Sequence, residues 1–419
     1  MRRLAAFLSW RTLAALAATL LLAGCSGRER SNPLDPANAL TGGAPQGFVA
    51  LAADHSAELR WAASTTQLPL AYRLTRAAGS APAESLTTLA PEATQYFDSG
   101  LTNGIDYTYR LSYLLGNGIL GYATFDIATP GPTRAWVVDS DTRSLQRITA
   151  DGRHVAEVLQ GRFRAPLSVD ALADNIAFVC DPSAGQLWRV YTHPNTQEEV
   201  GSLVEPVAAI VDRDRNRLWV ADQGRGALLS LDPFNPLSPY VNVPNLALPT
   251  DVAIDIADGS AWVSERTGGQ VRRVSFTGST VATALVANPA RVAVDSLTRN
   301  LWVVSFAARR LSVFSSTGAP LDSIGGFSGP LGIAIDSRRG HVWIADVNGG
   351  RMVVFDRNRA RLFEVTGLLE PLDAAIDPAS GDAWVVLAGG RQVVRIAADG
   401  TIKTRLGGFY RLKDIALAH

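Results

Sequence analysis

The chain has 419 residues, of which 47% are hydrophobic, and its 39 basic residues balance its 39 acidic ones. This length exceeds that of one ordinary domain, and the apolar fraction suffices for sizeable cores, so we expect two folded units. Because the formal net charge is zero, no overall field draws the chain to nucleic acid or to an anionic membrane surface, and both kinds of partner are disfavoured.

The first 25 residues have the organisation of an export signal. Arg2 and Arg3 form a charged start, and residues 13–22 form an apolar run too short to span a membrane comfortably. The stretch Leu22-Ala-Gly-Cys25 resembles the bacterial lipobox, which implies cleavage before Cys25 and a diacylglycerol on its thiol. An ordinary signal peptide with a chance cysteine is the alternative. We predict a lipoprotein signal peptide over residues 1–25, lipidated at Cys25.

Residues 26–44 are interpreted as a flexible tether, because Pro, Gly, Asn and charged residues dominate and no hydrophobic period is present. Ser26 stands where an aspartate retains some lipoproteins in the inner membrane, which by analogy favours the outer membrane. We therefore expect the chain in the cell envelope, held to the membrane by its lipid anchor alone. Cys180 lies in an apolar strand run and is expected to be a buried side chain without a disulfide partner.

Residues 45–130 contain short alternating runs bounded by turns, which is the pattern of an all-β sandwich. The runs cover residues 47–52, 57–62, 71–76, 95–98, 107–115 and 122–128. Leu59-Arg-Trp61, Tyr72-Arg-Leu74 and residues 98–110 resemble a fibronectin type III module. The resemblance implies that Trp61 fills the core, that Tyr107 makes the corner hydrogen bond of that family, and that the module is a spacer or an adhesion domain.

Beyond residue 131 an aromatic residue followed by a short apolar run recurs seven times, about 41 residues apart. The motif begins at Trp136, Phe178, Trp219, Trp262, Trp302, Trp343 and Trp384. A second repeat, such as Pro249–Asp255, precedes most of these motifs. A period near 40 residues is typical of four-stranded propeller blades. We predict an all-β chain in which a seven-bladed β-propeller covers residues 131–419.

The second repeat also predicts how the blades pack. One of its registers is alanine in five blades: Ala253, Ala293, Ala334, Ala375 and Ala416. Small residues there suit blades that converge near an axis. The Asp that closes most of these strands is followed by turn-forming residues, so we interpret it as a turn residue.

The phase of the repeat predicts how the ring closes. The first blade begins at its second strand, at residues 134–138, whereas residues 412–418 form a lone first strand. We therefore expect these two strands to pair, so that the C-terminal strand closes the propeller and removes exposed sheet edges.

Residues 346–356, with an acid, a Gly-rich turn, Arg351 and an apolar strand, resemble the NHL repeat. Other blades depart from this pattern, since Ser305 and Leu387 replace the acid and glutamine replaces the arginine in three blades. NHL-like rings include binding scaffolds as well as lyases and lactonases, so the resemblance implies an architecture and leaves the chemistry open.

The sequence contains no recognisable catalytic set. Its five histidines occupy unrelated positions in the repeat, so a convergent metal or acid-base cluster is not expected. Residues 116–121 fit a dinucleotide-binding pattern by letter and residues 212–223 resemble a calcium loop, but both are better interpreted as turns. We predict no catalytic residue, no metal site and no cofactor.

One register is a candidate binding site. It lies two residues after the blade proline, at the mouth of the first strand, and four blades carry a charged residue there: Asp251, Arg291, Asp373 and Asp414. We call these four residues the mouth group and expect them to ring one end of the channel, where they would bind a polar or cationic ligand. The alternative is that they are solvated entry residues that pair among themselves.

These features together predict a membrane-anchored, monomeric lipoprotein that acts as a non-catalytic scaffold and binds an envelope protein or glycan through the propeller. The alternative is a propeller hydrolase or lyase, resembling the lactonase or streptogramin-lyase rings, that acts on a small envelope molecule. A structural lipoprotein without a soluble ligand is a third interpretation.

Overall fold

The computed structural model describes residues 41–64, 69–115, 120–235 and 239–418, together with Asn32, Leu34, Asp35, Asn38 and Gly118. The predicted signal peptide and Cys25 lie outside the described residues. Within these ranges the secondary structure is all β, apart from two short 3-10 turns at Pro182–Ala184 and Val347–Gly349. In the described part of the chain, no helix is long and apolar enough to cross a membrane.

The chain divides into two compact units. Unit 1 comprises Met1–Ala50, Glu58–Asp98 and Ile105–Ala128. Unit 2 comprises Leu51–Ala57, Ser99–Gly104 and Thr129–His419.

The first seven strands form two sheets. The strands are β1 (Val49–Ala53), β2 (Ser56–Arg60), β3 (Ala71–Ala78), β4 (Glu84–Leu89), β5 (Gln95–Ser99), β6 (Tyr107–Leu114) and β7 (Leu120–Ala128). Their order is β1-β2-β5 in one sheet and β4-β3-β6-β7 in the other. β4 was not predicted from the sequence, because its side chains are exposed or half-buried and show no apolar alternation.

The core of unit 1 is aromatic. Trp61 is buried, as predicted, and its ring centroid lies 5.5 Å from that of Tyr72. The Tyr109 hydroxyl donates a hydrogen bond to Asp98 at 2.7 Å. Burial, together with this bond to Asp98, raises the pKa of Tyr109 far above its ordinary value. Trp61 and Tyr109 therefore stabilise unit 1 in different ways, by apolar packing and by a buried hydrogen bond.

Strands β8 to β35 form seven four-stranded sheets in the described part of the chain, which we number 1 to 7 in chain order. Sheet 1 contains β8 (Arg134–Asp139), β9 (Ser144–Ile148), β10 (Val155–Gln160) and β35 (Leu412–Ala418). Sheet 2 contains β11 (Ser168–Ala173), β12 (Ile176–Asp181), β13 (Gln186–Tyr191) and β14 (Thr196–Glu199). Sheet 3 contains β15 (Pro206–Asp212), β16 (Arg217–Asp222), β17 (Ala227–Leu231) and β18 (Val241–Val243).

Sheets 4 to 7 follow the same plan. Sheet 4 contains β19 (Pro249–Asp255), β20 (Ser260–Glu265), β21 (Gln270–Val274) and β22 (Thr280–Leu285). Sheet 5 contains β23 (Arg291–Val294), β24 (Leu301–Ser305), β25 (Arg310–Phe314) and β26 (Pro320–Ile324). Sheet 6 contains β27 (Pro330–Asp336), β28 (His341–Asp346), β29 (Arg351–Asp356) and β30 (Arg361–Thr366). Sheet 7 contains β31 (Pro371–Ile376), β32 (Ala383–Leu387), β33 (Gln392–Ile396) and β34 (Ile402–Leu406).

Sheet 1 is completed by the last strand of the chain. β35 pairs with β8 in antiparallel register, with Ala416 opposite Trp136 and Ala418 opposite Arg134. The predicted pairing of the strand at residues 412–418 with that at residues 134–138 is therefore confirmed. In the other six sheets the four strands follow one another in chain order.

Each repeat aromatic lies in a buried cluster that joins its own sheet to the next one. Trp136 packs with Val169 and Val179 of sheet 2, and Trp384 packs with Leu417 of sheet 1. None of the six motif tryptophans is more than 1% exposed. Because a buried tryptophan removes a large apolar area from water, the repeated aromatic stabilises the contacts between successive sheets, including that of sheet 7 with sheet 1.

The fourth residue of the aromatic motif is acidic in five sheets, and we call it the motif acid: Asp139, Asp181, Asp222, Glu265 and Asp346. Its carboxylate accepts hydrogen bonds from backbone amides of the loop that leads into the first strand of the same sheet. Asp346, for example, accepts bonds from the amides of Ser328 at 2.9 Å and Gly329 at 2.7 Å. The other four motif acids make equivalent bonds. The motif acid thus holds the loop in place.

The Asp that closes the first strands has the predicted turn role. Asp255 accepts a hydrogen bond from the amide of Ala257 at 3.2 Å, and Asp295, Asp336 and Asp377 accept the equivalent bond. Because each bond joins a side chain to its own backbone two residues on, it stabilises the turn into the second strand.

Candidate functional site

The first strands of all seven sheets line one cavity of about 400 Å³. The predicted alanine register contributes Ala253, Ala293, Ala334, Ala375 and Ala416 to its wall. Small side chains at these positions leave the space open where the strands converge. The sequence predicted a channel at this position, and we refer to the cavity below as the channel.

All four residues of the mouth group line this cavity. Arg291 Nη1 lies 3.2 Å from Asp373 Oδ2, and Arg291 Nη2 lies 3.2 Å from Asp414 Oδ1. Arg291 therefore reaches from sheet 5 to sheets 7 and 1. Asp251 instead accepts the backbone N–H of Val292 at 2.8 Å. The structure thus combines three of the four predicted residues into one ion-pair group.

At the equivalent position of sheet 6 the chain has Gly332. A Cβ on Gly332 would clash with the Leu372 carbonyl oxygen and would lie 3.0 Å from Asp373 Oδ1. Glycine is required here because the first strand of sheet 7 approaches so closely.

Three carboxylates of the cavity connect neighbouring first strands. Each accepts the backbone N–H of the next sheet's first strand: Asp251 from Val292 at 2.8 Å, Asp414 from Val169 at 2.8 Å, and Asp170 from Val211 at 2.7 Å. First strands of different sheets share no ladder of backbone bonds in the part of the chain that the structure describes, so these amides need another acceptor. The carboxylates supply it and are held rigidly in return.

Two further charged residues line the cavity, Asp170 and Arg213, and neither was predicted from the sequence. Asp170 occupies the register that is alanine in five other sheets, and this break in the pattern was the signal that could have revealed it. Arg213 follows β15 and donates hydrogen bonds to the carbonyl oxygens of Ala171 at 2.5 Å and Leu172 at 3.1 Å.

The cavity shifts the pKa of several of these groups. Burial raises the pKa of Asp170 and of Asp251 to about 6, although backbone amides and nearby arginines act in the opposite direction. Burial, the nearby carboxyl of Asp414 and its hydrogen bond raise the pKa of Asp373 as well. Burial alone would lower the pKa of Arg291, but the surrounding carboxylates raise it, so Arg291 stays charged. The cavity therefore holds a fixed cation among carboxyl groups that can bind protons near neutral pH.

Comparison with known proteins identifies the repeat. Residues 327–355 match the NHL repeat family, and this range includes most of the segment that resembles that repeat. No curated protein sequence matches the chain.

Solved structures identify the fold. A functionally unknown protein from Desulfotomaculum acetoxidans DSM 771 has a TM-score of 0.59 at 12% identity, and the match covers 68% of this chain and 99% of that one. The WD40 β-propeller domain of Doa1 has a TM-score of 0.50 at 13% identity and covers 59% of this chain and 86% of its own. This chain has a β-propeller fold. Streptogramin B lyase is similar too, with a TM-score of 0.51, 15% identity, and coverage of 58% of this chain and 83% of its own. At such identities the likeness shows the propeller fold alone.

Proposed function

We propose that this chain is a lipid-anchored protein of the cell envelope, in the outer membrane, with a fibronectin type III-like domain over residues 45–130. In this proposal residues 131–419 form a closed seven-bladed propeller, whose blades are sheets 1 to 7. The propeller is a non-catalytic scaffold that binds an envelope protein or glycan. The packing of Trp384 against sheet 1 and the pairing of β35 with β8 support a closed ring.

The arrangement of charges in the cavity carries this proposal. The carboxyl groups of Asp170, Asp251, Asp373 and Asp414 come from four different sheets, and among the described lining residues they share the cavity with only two guanidinium groups. Backbone amides fix three of these carboxylates in place. A rigid cavity with an excess of acidic groups favours a cationic group of a partner, because positions and charge are set before binding.

The test compares retention of envelope components by two forms of the immobilised full chain in detergent. One form is wild type and the other is the double variant Asp251→Asn, Asp373→Asn, in which the new amide oxygen at position 251 can still accept the Val292 N–H. Asp141→Asn, at an exposed aspartate, is the matched control. We expect a protein or glycan that the wild type and the control retain and the double variant loses. Identical retention by all three forms would remove the support for the channel as the binding site.

A propeller hydrolase or lyase is the second candidate, and the raised pKa of Asp170 and Asp251 favours it. Carboxyl groups that titrate near neutral pH can act as general acids or bases. The streptogramin-lyase-like fold is compatible with this chemistry without requiring it. Incubation of the chain with a streptogramin B-type cyclic peptide and with a simple lactone, beside the Asp170→Asn variant and elemental analysis for bound metal, distinguishes this candidate from the scaffold.

A further inference from the structure

A second cavity lies beside the channel mouth, and we call it the side pocket. It has a volume of about 300 Å³ and is lined by Arg266, Asn288, Ala290, Phe306, Ala307 and Leu331. Ala290 directly precedes Arg291 of the mouth group, so the two cavities are neighbours at the start of β23. Four of the six lining residues are apolar, and Phe306 is exposed.

Beside the side pocket, in sheet 5, a small polar residue replaces the motif acid. Ser305, directly before Phe306, stands where five other sheets have Asp or Glu. It is 1% exposed, and its Oγ has no hydrogen-bond partner among the described residues. A serine side chain is too short to replace a carboxylate in this role.

In sheet 5 the backbone amides that a motif acid would bind are therefore free to bind another acceptor. In sheet 6 the motif acid accepts bonds from residues 18 and 17 positions before it. The same offsets from Ser305 give Ala287 and Asn288. Within the described part of the chain neither of these amides donates a hydrogen bond, and both residues are exposed. The backbone of this loop can therefore bind a carboxylate, but the side chain that supplies the carboxylate in five other sheets is a shorter serine here.

Charge at the side pocket favours an anion. No ion pair of the Arg266 guanidinium occurs among the described residues, and Arg266 is exposed. The preceding Glu265 does not neutralise it, because Glu265 bonds to Arg272 at 2.9 Å and to the Ala247 amide at 2.9 Å.

Sheet 7 also lacks the motif acid but offers no comparable site within the described ranges. Its Leu387 is buried and belongs to the cluster around Trp343, so an apolar side chain fills the position. Sheet 5 is thus the place where the missing acid coincides with an apolar cavity and with an arginine that has no ion pair among the described residues.

We propose that the side pocket binds a small organic carboxylate with an apolar substituent. Its carboxylate takes the place of the motif acid at the Ala287 and Asn288 amides and pairs with Arg266. Its apolar part packs against Phe306 and Leu331. The pocket volume suits a small molecule, since ligand pockets begin at roughly 300 Å³. This site is distinct from the acidic channel and does not depend on the channel's function.

Equilibrium dialysis of the full chain in detergent with radiolabelled phenylacetate tests this proposal, with neutral phenylacetamide as the matched probe. We expect one bound phenylacetate per chain and at least tenfold weaker binding of phenylacetamide. In Ser305→Asp the chain supplies its own carboxylate, so phenylacetate should bind at least tenfold more weakly while the melting temperature is retained or raised. Arg266→Gln should also weaken binding about tenfold, whereas Arg309→Gln, at an exposed arginine outside the pocket, should not.

The proposal is overturned if the wild type does not bind phenylacetate, or if the acid and the amide bind equally. Unchanged phenylacetate binding in a folded Ser305→Asp variant would also overturn it. Should Ser305→Asp fail to fold, Arg266→Gln decides: equal binding by Arg266→Gln and the wild type contradicts the proposed charge pairing.

Discussion

Arg291 Nη2 lies 3.2 Å from Asp414 Oδ1, although the two residues are 123 positions apart in the sequence. Asp414 is on β35, which pairs with β8 to complete sheet 1. The ion pair therefore connects the first strand of sheet 5 to the strand that completes sheet 1. Asp414 is only 4% exposed, so solvent screens this pair incompletely.

Replacing Arg291 with methionine should destabilise the fold. The change leaves Asp373 and Asp414 without their cation, and we expect the free energy of unfolding to fall by about 1–3 kcal/mol, a value discounted for the partial exposure of Arg291. Urea unfolding at neutral pH measures this loss. Arg309→Met, at an exposed arginine without an ion pair among the described residues, is the control. Equal losses in the two variants would show that the channel pair adds no stability.

Asp251 should make stability depend on pH. Its folded-state pKa, about 6, is above the ordinary value of 3.8. Between these values the folded state holds a proton that the unfolded chain has released, so stability decreases as the pH rises through this window. Asp251→Asn removes this contribution, and we expect the variant to gain about 1–3 kcal/mol over wild type at pH 7 and roughly a third of that gain at about pH 4.5.

Urea unfolding at both pH values, with Asp141→Asn as a surface control, measures this difference. A constant offset between Asp251→Asn and wild type at the two pH values would contradict a raised pKa at Asp251.

Deleting residues 410–419 should destabilise the whole of unit 2. The deletion removes β35, leaves the β8 edge unpaired, and takes away the Tyr410 amide that Asp139 binds at 2.8 Å. We expect a lower melting temperature and a broader transition, followed by circular dichroism, because an open edge lowers cooperativity. A truncated chain that melts at the wild-type temperature would exclude closure by the last strand.

Asp346→Ala should show how much a motif acid contributes. It leaves the Ser328 and Gly329 amides and the Nε–H of Arg351 without their acceptor, and we expect a loss of about 2–4 kcal/mol in urea unfolding. Asp346→Asn keeps one acceptor oxygen and should lose less. Asp214→Ala, at an exposed aspartate with no hydrogen bond or ion pair among the described residues, is the control. If all three variants unfold alike, the motif acid does not stabilise its loop.

Cys25→Ser should release the chain from the membrane, because the predicted lipid is its only anchor. Fractionation of cells and labelling with radioactive palmitate measure this. Wild type should be labelled and membrane-bound, and the variant unlabelled. Labelling of the variant would place the lipid elsewhere, and membrane retention without label would contradict the lipid anchor.

The sequence alone predicted the repeat, the strands that carry its two motifs, and the pairing of the last strand with residues 134–138. These features follow from local patterns, since the alternation of side chains and the spacing of the aromatic motif recur from blade to blade. The same logic placed Asp251, Arg291, Asp373 and Asp414 at one end of a channel. Two features could not be predicted in this way. β4 has polar residues where an alternating strand would have apolar ones, and Asp170 is charged at a position that is alanine in five other sheets.

Only the tertiary structure decided which charged residues pair. Arg291 binds Asp373 and Asp414 because sheets 5, 7 and 1 surround one cavity. The structure also showed that Ser305, which replaces the motif acid, lies next to a pocket. Among the described residues, the nearby amides of Ala287 and Asn288 donate no hydrogen bond, and the Arg266 guanidinium has no ion pair. Registers within a sheet depend on neighbours in sequence, whereas contacts across a channel depend on how the sheets are arranged around it. The arrangement of the sheets depends on many packing contacts between them, so no single stretch of sequence predicts it.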